Sequence, residues 1–76
     1  MKLFLEVYKK QTREEVERGV PQEMVRVEVD TEDTEVLKKK AQDIANNMGW
    51  TEYEAYLHKC YHDEGTGKPC ELIKLV

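Results

Sequence analysis

Hydrophobic and polar residues alternate along two short segments in the first half of the chain. From Lys2 to Lys9 the apolar side consists of Leu3, Leu5 and Val7, and from Met24 to Asp30 it consists of Val25, Val27 and Val29. Successive side chains of a strand point to opposite faces, so a period of two predicts strands with one buried face and one face toward water.

A helical period follows the second strand. Its apolar positions are Val36, Leu37, Ala41, Ile44, Ala45 and Met48. The segment from Asp30 to Glu35 places carboxylates and hydroxyls at the positive end of this helix, and Gly49 falls where a left-handed residue closes a last turn. The pattern predicts one amphipathic helix.

A shorter helical signal lies between the two strands. Thr12 and Glu15 have capping-box spacing, Gly19 stands where a helix would stop, and Pro21 comes just beyond. We expect one or two helical turns here, in a connection with little apolar surface to bury.

The last third of the chain predicts a β-hairpin. Its strands run from Glu52 to His62 and from Cys70 to Val76, and the segment 63–69, with two glycines and a proline, suits only a loop. Matching side chains suggests the register, which opposes Leu57 to Ile73, Ala55 to Leu75, Lys59 to Glu71 and Cys60 to Cys70.

The order strand, strand, helix, strand, strand predicts a single small α+β domain over residues 1–76. We expect a four-stranded mixed sheet with the helix packed on one face. The first and last strands are apolar on both faces, which places them centrally and parallel. This element order resembles the β-grasp layout of ubiquitin-like folds, although Leu75 and Val76 stand where those modifiers carry a Gly-Gly tail.

Size and charge narrow the classes of function. A chain of 76 residues buries only about 60% of the surface that it exposes when unfolded, which favours a binding surface over an enclosed active site. No catalytic dyad can be assembled, so we expect a protein that is not an enzyme. A net charge of −4 opposes binding to phosphate backbones, and we expect no nucleic-acid partner.

The chain shows no membrane or secretory signal. Glu6 interrupts the first apolar residues before they reach the length of a signal peptide, which predicts a cytoplasmic protein with two reduced thiols. The Glu and Lys content is of the kind common in thermophile proteins.

The one chemical signature is a group of soft ligands near the end of the chain. A strand would place His58, Cys60 and His62 on one face, with Cys70 just past the next turn. Cysteine and histidine together suit Zn²⁺ in a tetrahedral site. Free thiols, a zinc site and a bridge between the two cysteines all stay open at this point, because opposed strand residues can also meet disulfide distances.

The sheet face away from the helix is the leading candidate surface, because it mixes aromatic and aliphatic side chains with charges. The candidate binding residues are Phe4, Tyr8, Arg26, Tyr56, Leu72 and Lys74. We expect a small interaction module that binds a protein partner or its own copy through this face. The alternatives are a zinc-binding protein using His-x-Cys-x-His, and a protein that stacks single-stranded nucleic acid on the same face.

Overall fold

The computed structural model describes all residues from 1 to 76. The elements in chain order are β1 (Lys2–Lys9), α1 (Arg13–Glu17), β2 (Met24–Val29), α2 (Thr34–Met48), β3 (Tyr53–Cys60), a 3₁₀ turn (His62–Glu64) and β4 (Glu71–Lys74). The α+β class, the ββαββ order, the four-stranded sheet and the short helix between the first two strands are confirmed. The two hairpin strands are shorter than the predicted ones.

The pairing of the strands differs from the expected mixed sheet. The order is β2-β1-β3-β4, and every neighbouring pair is antiparallel. The crossover through α2 carries the chain over β1, and β3 then pairs with β1 along eight residues. β4 follows by a local hairpin and therefore lies at the sheet edge, not beside β1.

The edge position of β4 has a physical basis in strand length. β3 offers eight residues with buried Ala55 and Leu57, whereas β4 offers four, all exposed. The longer strand makes more ladder hydrogen bonds and buries more apolar surface beside β1. The hairpin register is as expected for Leu57 with Ile73 and for Lys59 with Glu71.

Helix α2 is held by caps at both ends. The Asp33 carboxylate accepts hydrogen bonds from the backbone N–H groups of Glu35 and Val36, at 3.0 and 3.4 Å. At the other end Gly49 adopts φ 75°, and the Trp50 N–H reaches back to the Ala45 carbonyl. At fifteen residues of mixed polarity, α2 is the longest helix, and no helix here has the length and apolarity to cross a membrane.

The core is a single layer between α2 and the sheet. Its largest fully buried side chains are Leu5, Val7, Leu37 and Leu57. Trp50 is also buried, at 6% exposure, because the turn that ends α2 folds its indole back onto this layer. One layer suffices because α2 covers β1 and β3, the two central strands.

Replacing Asp33 with alanine is expected to lower the free energy of unfolding by about 0.5–2 kcal/mol, because two backbone N–H groups of α2 lose their acceptor. Urea denaturation followed by circular dichroism measures this loss. Asp43→Ala is the matched control on the exposed face of the same helix, and we expect it to be neutral or slightly stabilising. Equal losses in the two variants would contradict the capping role.

Candidate metal centre

The functional side chains lie on the sheet face opposite α2, called here the outer face. Even-numbered residues of β1 oppose even-numbered residues of β2 and β3, as in the pairs of Glu6 with Arg26 and with Tyr56. In the same way Leu72 opposes His58. The outer face therefore collects the predicted binding residues and the predicted metal ligands of the strands on one surface.

Glu6 occupies the centre of the outer face and is only 5% exposed. Its carboxylate accepts a hydrogen bond from the Tyr8 hydroxyl at 2.9 Å and lies 2.8 Å from Nδ1 of His58. Nε of Arg26 lies 3.4 Å from the same carboxylate. A buried carboxylate needs such partners, because an uncompensated charge is strongly disfavoured away from water.

The partners of Glu6 decide its ionisation. Burial by itself would raise the pKa of Glu6, but hydrogen bonds from His58 and Tyr8, together with the charges of His58 and Arg26, outweigh it. The pKa of Glu6 therefore lies below its ordinary value, and the carboxylate is ionised at neutral pH. The pKa of Tyr8 is raised, by burial first and then by its hydrogen bond to Glu6.

The contact with Glu6 fixes the tautomer of His58. An ionised carboxylate only accepts hydrogen bonds, so Nδ1 of His58 carries the proton and donates it to Glu6. The other ring nitrogen, Nε2, is buried and has no hydrogen-bond partner. When the imidazole is neutral, Nε2 is therefore the nitrogen with the free lone pair, as in carboxylate–histidine pairs that hold metals.

Two thiols lie near the ring of His58. Cys60 ends β3 and Cys70 precedes β4, and their sulfur atoms and a ring nitrogen of His58 all lie within 4.8 Å of one another. Neither cysteine is bridged, and both are half-buried. The β3–β4 register, continued one residue beyond the pair of Lys59 with Glu71, brings these thiols together.

His62 lies outside the strand and outside this group of three, next to the two thiols. The sequence pattern predicted His62 on the same strand as His58 and Cys60. This prediction is wrong, because β3 ends at Cys60 and His62 begins the 3₁₀ turn. Its ring nevertheless turns back onto the thiols. Nδ1 of His62 lies 3.0 Å from Sγ of Cys60 and 3.8 Å from Sγ of Cys70.

These separations are close to those of a tetrahedral zinc site. Bonds of about 2.3 Å from zinc to sulfur and about 2.0–2.1 Å to nitrogen place neighbouring ligand atoms roughly 3.3–3.8 Å apart. The 3.8 Å from Nδ1 of His62 to Sγ of Cys70 falls within this spacing, and the 3.0 Å to Sγ of Cys60 is slightly shorter. The trio of His58, Cys60 and Cys70 needs a contraction of about 1.0–1.5 Å at most, within the reach of side-chain rotation.

The predicted binding residues form a second part of the outer face. The Arg26 guanidinium lies 4.1 Å from the Phe4 ring centroid, and the Tyr8 and Tyr56 rings meet edge to face at 5.8 Å. Leu72 is 61% exposed. Tyr8, Tyr56 and Leu72 line a shallow groove of about 300 Å³, together with Gln22 and Glu54. Their role in binding a partner stays a prediction.

Sequence reasoning missed the part played by Glu6. The alternation of β1 places Glu6 on the outer face as one of several solvated charges, whereas the structure buries it beside His58. The signal that reveals it is the pairing of β1 with β3, because Glu6 opposes Tyr56, the same-face neighbour of His58. That pairing joins segments far apart in the chain, so no local sequence pattern predicts it.

Comparison with protein families, with characterised proteins and with solved structures finds no match to this chain.

Proposed function

We propose that this protein binds Zn²⁺ through His58, Cys60 and Cys70, with His62 as the fourth ligand. The observation that carries the proposal is the buried Nε2 of His58, which has no hydrogen-bond partner and belongs to a ring within 4.8 Å of two free thiols. Buried polar atoms are nearly always satisfied, so an unsatisfied one beside two soft ligands supports a metal.

The donor set favours zinc over harder cations. Thiolate and imidazole are ligands for Zn²⁺, while Mg²⁺ and Ca²⁺ take oxygen ligands. The Glu6 contact adds the outer hydrogen bond that orients a histidine ligand and raises its basicity. Four protein ligands leave no position for water or substrate, which is the arrangement of a structural site rather than a catalytic one.

The location of the ligands suggests what the metal does. His58 and Cys60 belong to β3, Cys70 precedes β4, and His62 begins the turn between them. β4 lies at the edge of the sheet and pairs only with β3, along four residues. A metal bound to all three segments would therefore clamp the edge hairpin onto the sheet.

Zinc binding is tested by the thermal stability of reduced, chelator-treated protein as ZnCl₂ is added. At a free concentration of about 100 times the dissociation constant, zinc should add about 2.7 kcal/mol, or roughly 10–20 °C in Tm for a domain of this size. Co²⁺ should produce the visible absorption of a tetrahedral thiolate complex. Acidification should release the metal, because the ligands must be deprotonated.

The double variant Cys60→Ser/Cys70→Ser is the matched control, because it keeps side-chain size and removes both sulfur ligands. It should melt at the same temperature with and without ZnCl₂. A wild-type protein that responds no more than this variant would overturn the proposal. The variant His62→Ala tests whether His62 is the fourth ligand. If only three residues bind zinc, this variant should have the same zinc affinity as the wild-type protein.

Nucleic-acid binding on the outer face has less support. Arg26 lies beside Glu6, and Nζ of Lys74 lies 4.0 Å from the Glu54 carboxylate. Both cations would have to exchange a carboxylate for a phosphate, on a chain whose net charge is −4. Phosphate contacts supply most of the affinity in non-specific binding, so these pairings disfavour it.

A further inference from the structure

The free edge of β2 is the longest unpaired strand edge of the sheet. β2 lies at one end of the strand order and runs for six residues, against four in β4 at the other end. Natural proteins protect such edges with proline, charged side chains or a bulge. β2 has no proline and its register with β1 is unbroken, and its two charges, Arg26 and Glu28, have opposite signs.

The ladder with β1 shows which peptide groups of β2 remain free. The Lys9 N–H donates to the Glu23 carbonyl, and hydrogen-bonded pairs alternate along an antiparallel ladder. Val25 and Val27 are therefore bonded to β1, and the N–H and C=O groups of Arg26 and Glu28 point outward. These outward groups are ready to pair with another strand.

The inner face of β2 is incompletely covered. Helix α2 packs across β1 and β3 and leaves the end of the sheet at β2 more open. Val25, Val27 and Val29 are accordingly only partly buried, although they continue the apolar layer of the core. An added strand would extend this layer and cover the valine row.

The sequence of β2 is complementary to itself about Val27. When two copies pair antiparallel with Val27 opposite Val27, Arg26 of each copy opposes Glu28 of the other. On the inner face, Val25 then opposes Val29. Shifting one copy by two residues in either direction also keeps both helices on one side of the sheet. These two registers oppose Arg26 to Arg26 or Glu28 to Glu28, and like charges directly opposite each other are destabilising.

The other sheet edge lacks this complementarity. In a continuous antiparallel sheet, opposed residues must share a face, so their numbers differ by an even count. Glu71 and Lys74 of β4 lie on opposite faces and cannot oppose each other in such a pair. The charge pattern therefore selects β2 and not β4.

We infer that a second copy of this chain pairs with the edge of β2, in the register centred on Val27, to form a symmetric dimer with a continuous eight-stranded sheet. Each Arg26–Glu28 pair exchanges two main-chain hydrogen bonds and brings opposite charges together on the outer face. Because the proposed metal ligands lie in β3 and in the connection from β3 to β4, the dimer does not depend on zinc.

Sedimentation equilibrium from about 1 µM to about 1 mM tests the inference. The wild-type protein should approach twice its chain mass of 9.0 kDa, with and without chelator. Glu28→Pro should remain monomeric throughout, because it removes an outward N–H that β1 does not use. A wild-type monomer at every concentration, or an unaltered dimer in Glu28→Pro, would overturn the inference.

Charge variants test the register. In Glu28→Arg, Arg26 of each copy opposes the introduced arginine of the other, so the dissociation constant of the dimer should rise by roughly 10- to 100-fold. Glu52→Arg makes the same change of charge just before β3 and should leave the dissociation constant unchanged. Circular dichroism confirms that each variant is folded.

A mixing experiment then isolates the two charge pairs. Arg26→Glu and Glu28→Arg chains should each be largely monomeric alone. In a mixture every opposed pair has opposite charges, so heterodimers should form. A mixture that stays monomeric while the wild-type protein dimerises would exclude this register.

Discussion

Replacing Glu6 with glutamine is expected to weaken zinc binding by about 10- to 100-fold and to lower the stability of the metal-free protein by about 1–3 kcal/mol. The two effects have one origin. In the proposed zinc site the carboxylate orients His58, and it also serves as the common acceptor for His58, Tyr8 and Arg26. Glutamine keeps the shape of the side chain and removes the charge.

The first effect is on the ring of His58. A carboxylate can only accept from Nδ1–H, so a neutral ring keeps its free lone pair at Nε2, which has no hydrogen-bond partner. A glutamine amide can instead turn its NH₂ group toward the ring and favour the other tautomer. The fraction of chains with a ligating Nε2 then falls, and the zinc affinity falls with it.

The second effect gives stability a defined dependence on pH. The native pKa of Glu6 lies below its ordinary value. Its contribution is therefore fully present above the unfolded-state pKa of about 4.3 and is lost as the pH falls through the lower native pKa. Urea denaturation of metal-free protein between neutral and acidic pH should show this loss, and Glu6→Gln should show a shallower one.

Glu52→Gln is the matched control for Glu6→Gln, because Glu52 is an exposed carboxylate that belongs neither to the metal centre nor to the edge of β2. It should change stability by no more than about 0.5 kcal/mol. It should also leave zinc affinity unchanged. Equal effects of the two substitutions would mean that Glu6 acts only through the net charge of the protein.

The local patterns in the sequence predicted much of this fold. Alternation located β1 and β2, the helical period located α2, and the capping residues Thr12 and Gly49 mark the ends of helices as expected. The hairpin register was also predictable, because opposite charges at Lys59 and Glu71 can match in only one alignment of two adjacent strands. That register is what brings Cys60 and Cys70 together.

Contacts between distant segments were not predictable in the same way. Apolar residues on both faces of the last strand suggested a central position, but Leu72 and Ile73 are exposed at the edge. The hydropathy of the strands does not show whether β3 or β4 pairs with β1. The contact of Glu6 with His58 depends on that same competition, so the metal centre could be only partly assembled from sequence.

Replacing Leu37 with alanine is expected to cost about 2–5 kcal/mol of stability. Leu37 is fully buried between α2 and the sheet, and alanine would leave a cavity there. Domains have about 0.05–0.15 kcal/mol of stability per residue, or about 4–11 kcal/mol for 76 residues. Val36→Ala, at a neighbouring position that is 52% exposed, should change stability by no more than about 0.5 kcal/mol.

Zinc should restore part of the stability that Leu37→Ala removes. Leu37 packs on the helix side of the sheet, while the metal ligands lie on or beside the outer face, so the two effects should add. A zinc concentration about 100 times the dissociation constant should return about 2.7 kcal/mol to the variant, the same increment that is expected for the wild-type protein. Urea denaturation of both proteins, with and without ZnCl₂, measures the two increments. A variant that gains nothing from zinc while the wild-type protein gains fully would show that the metal site and the core are coupled.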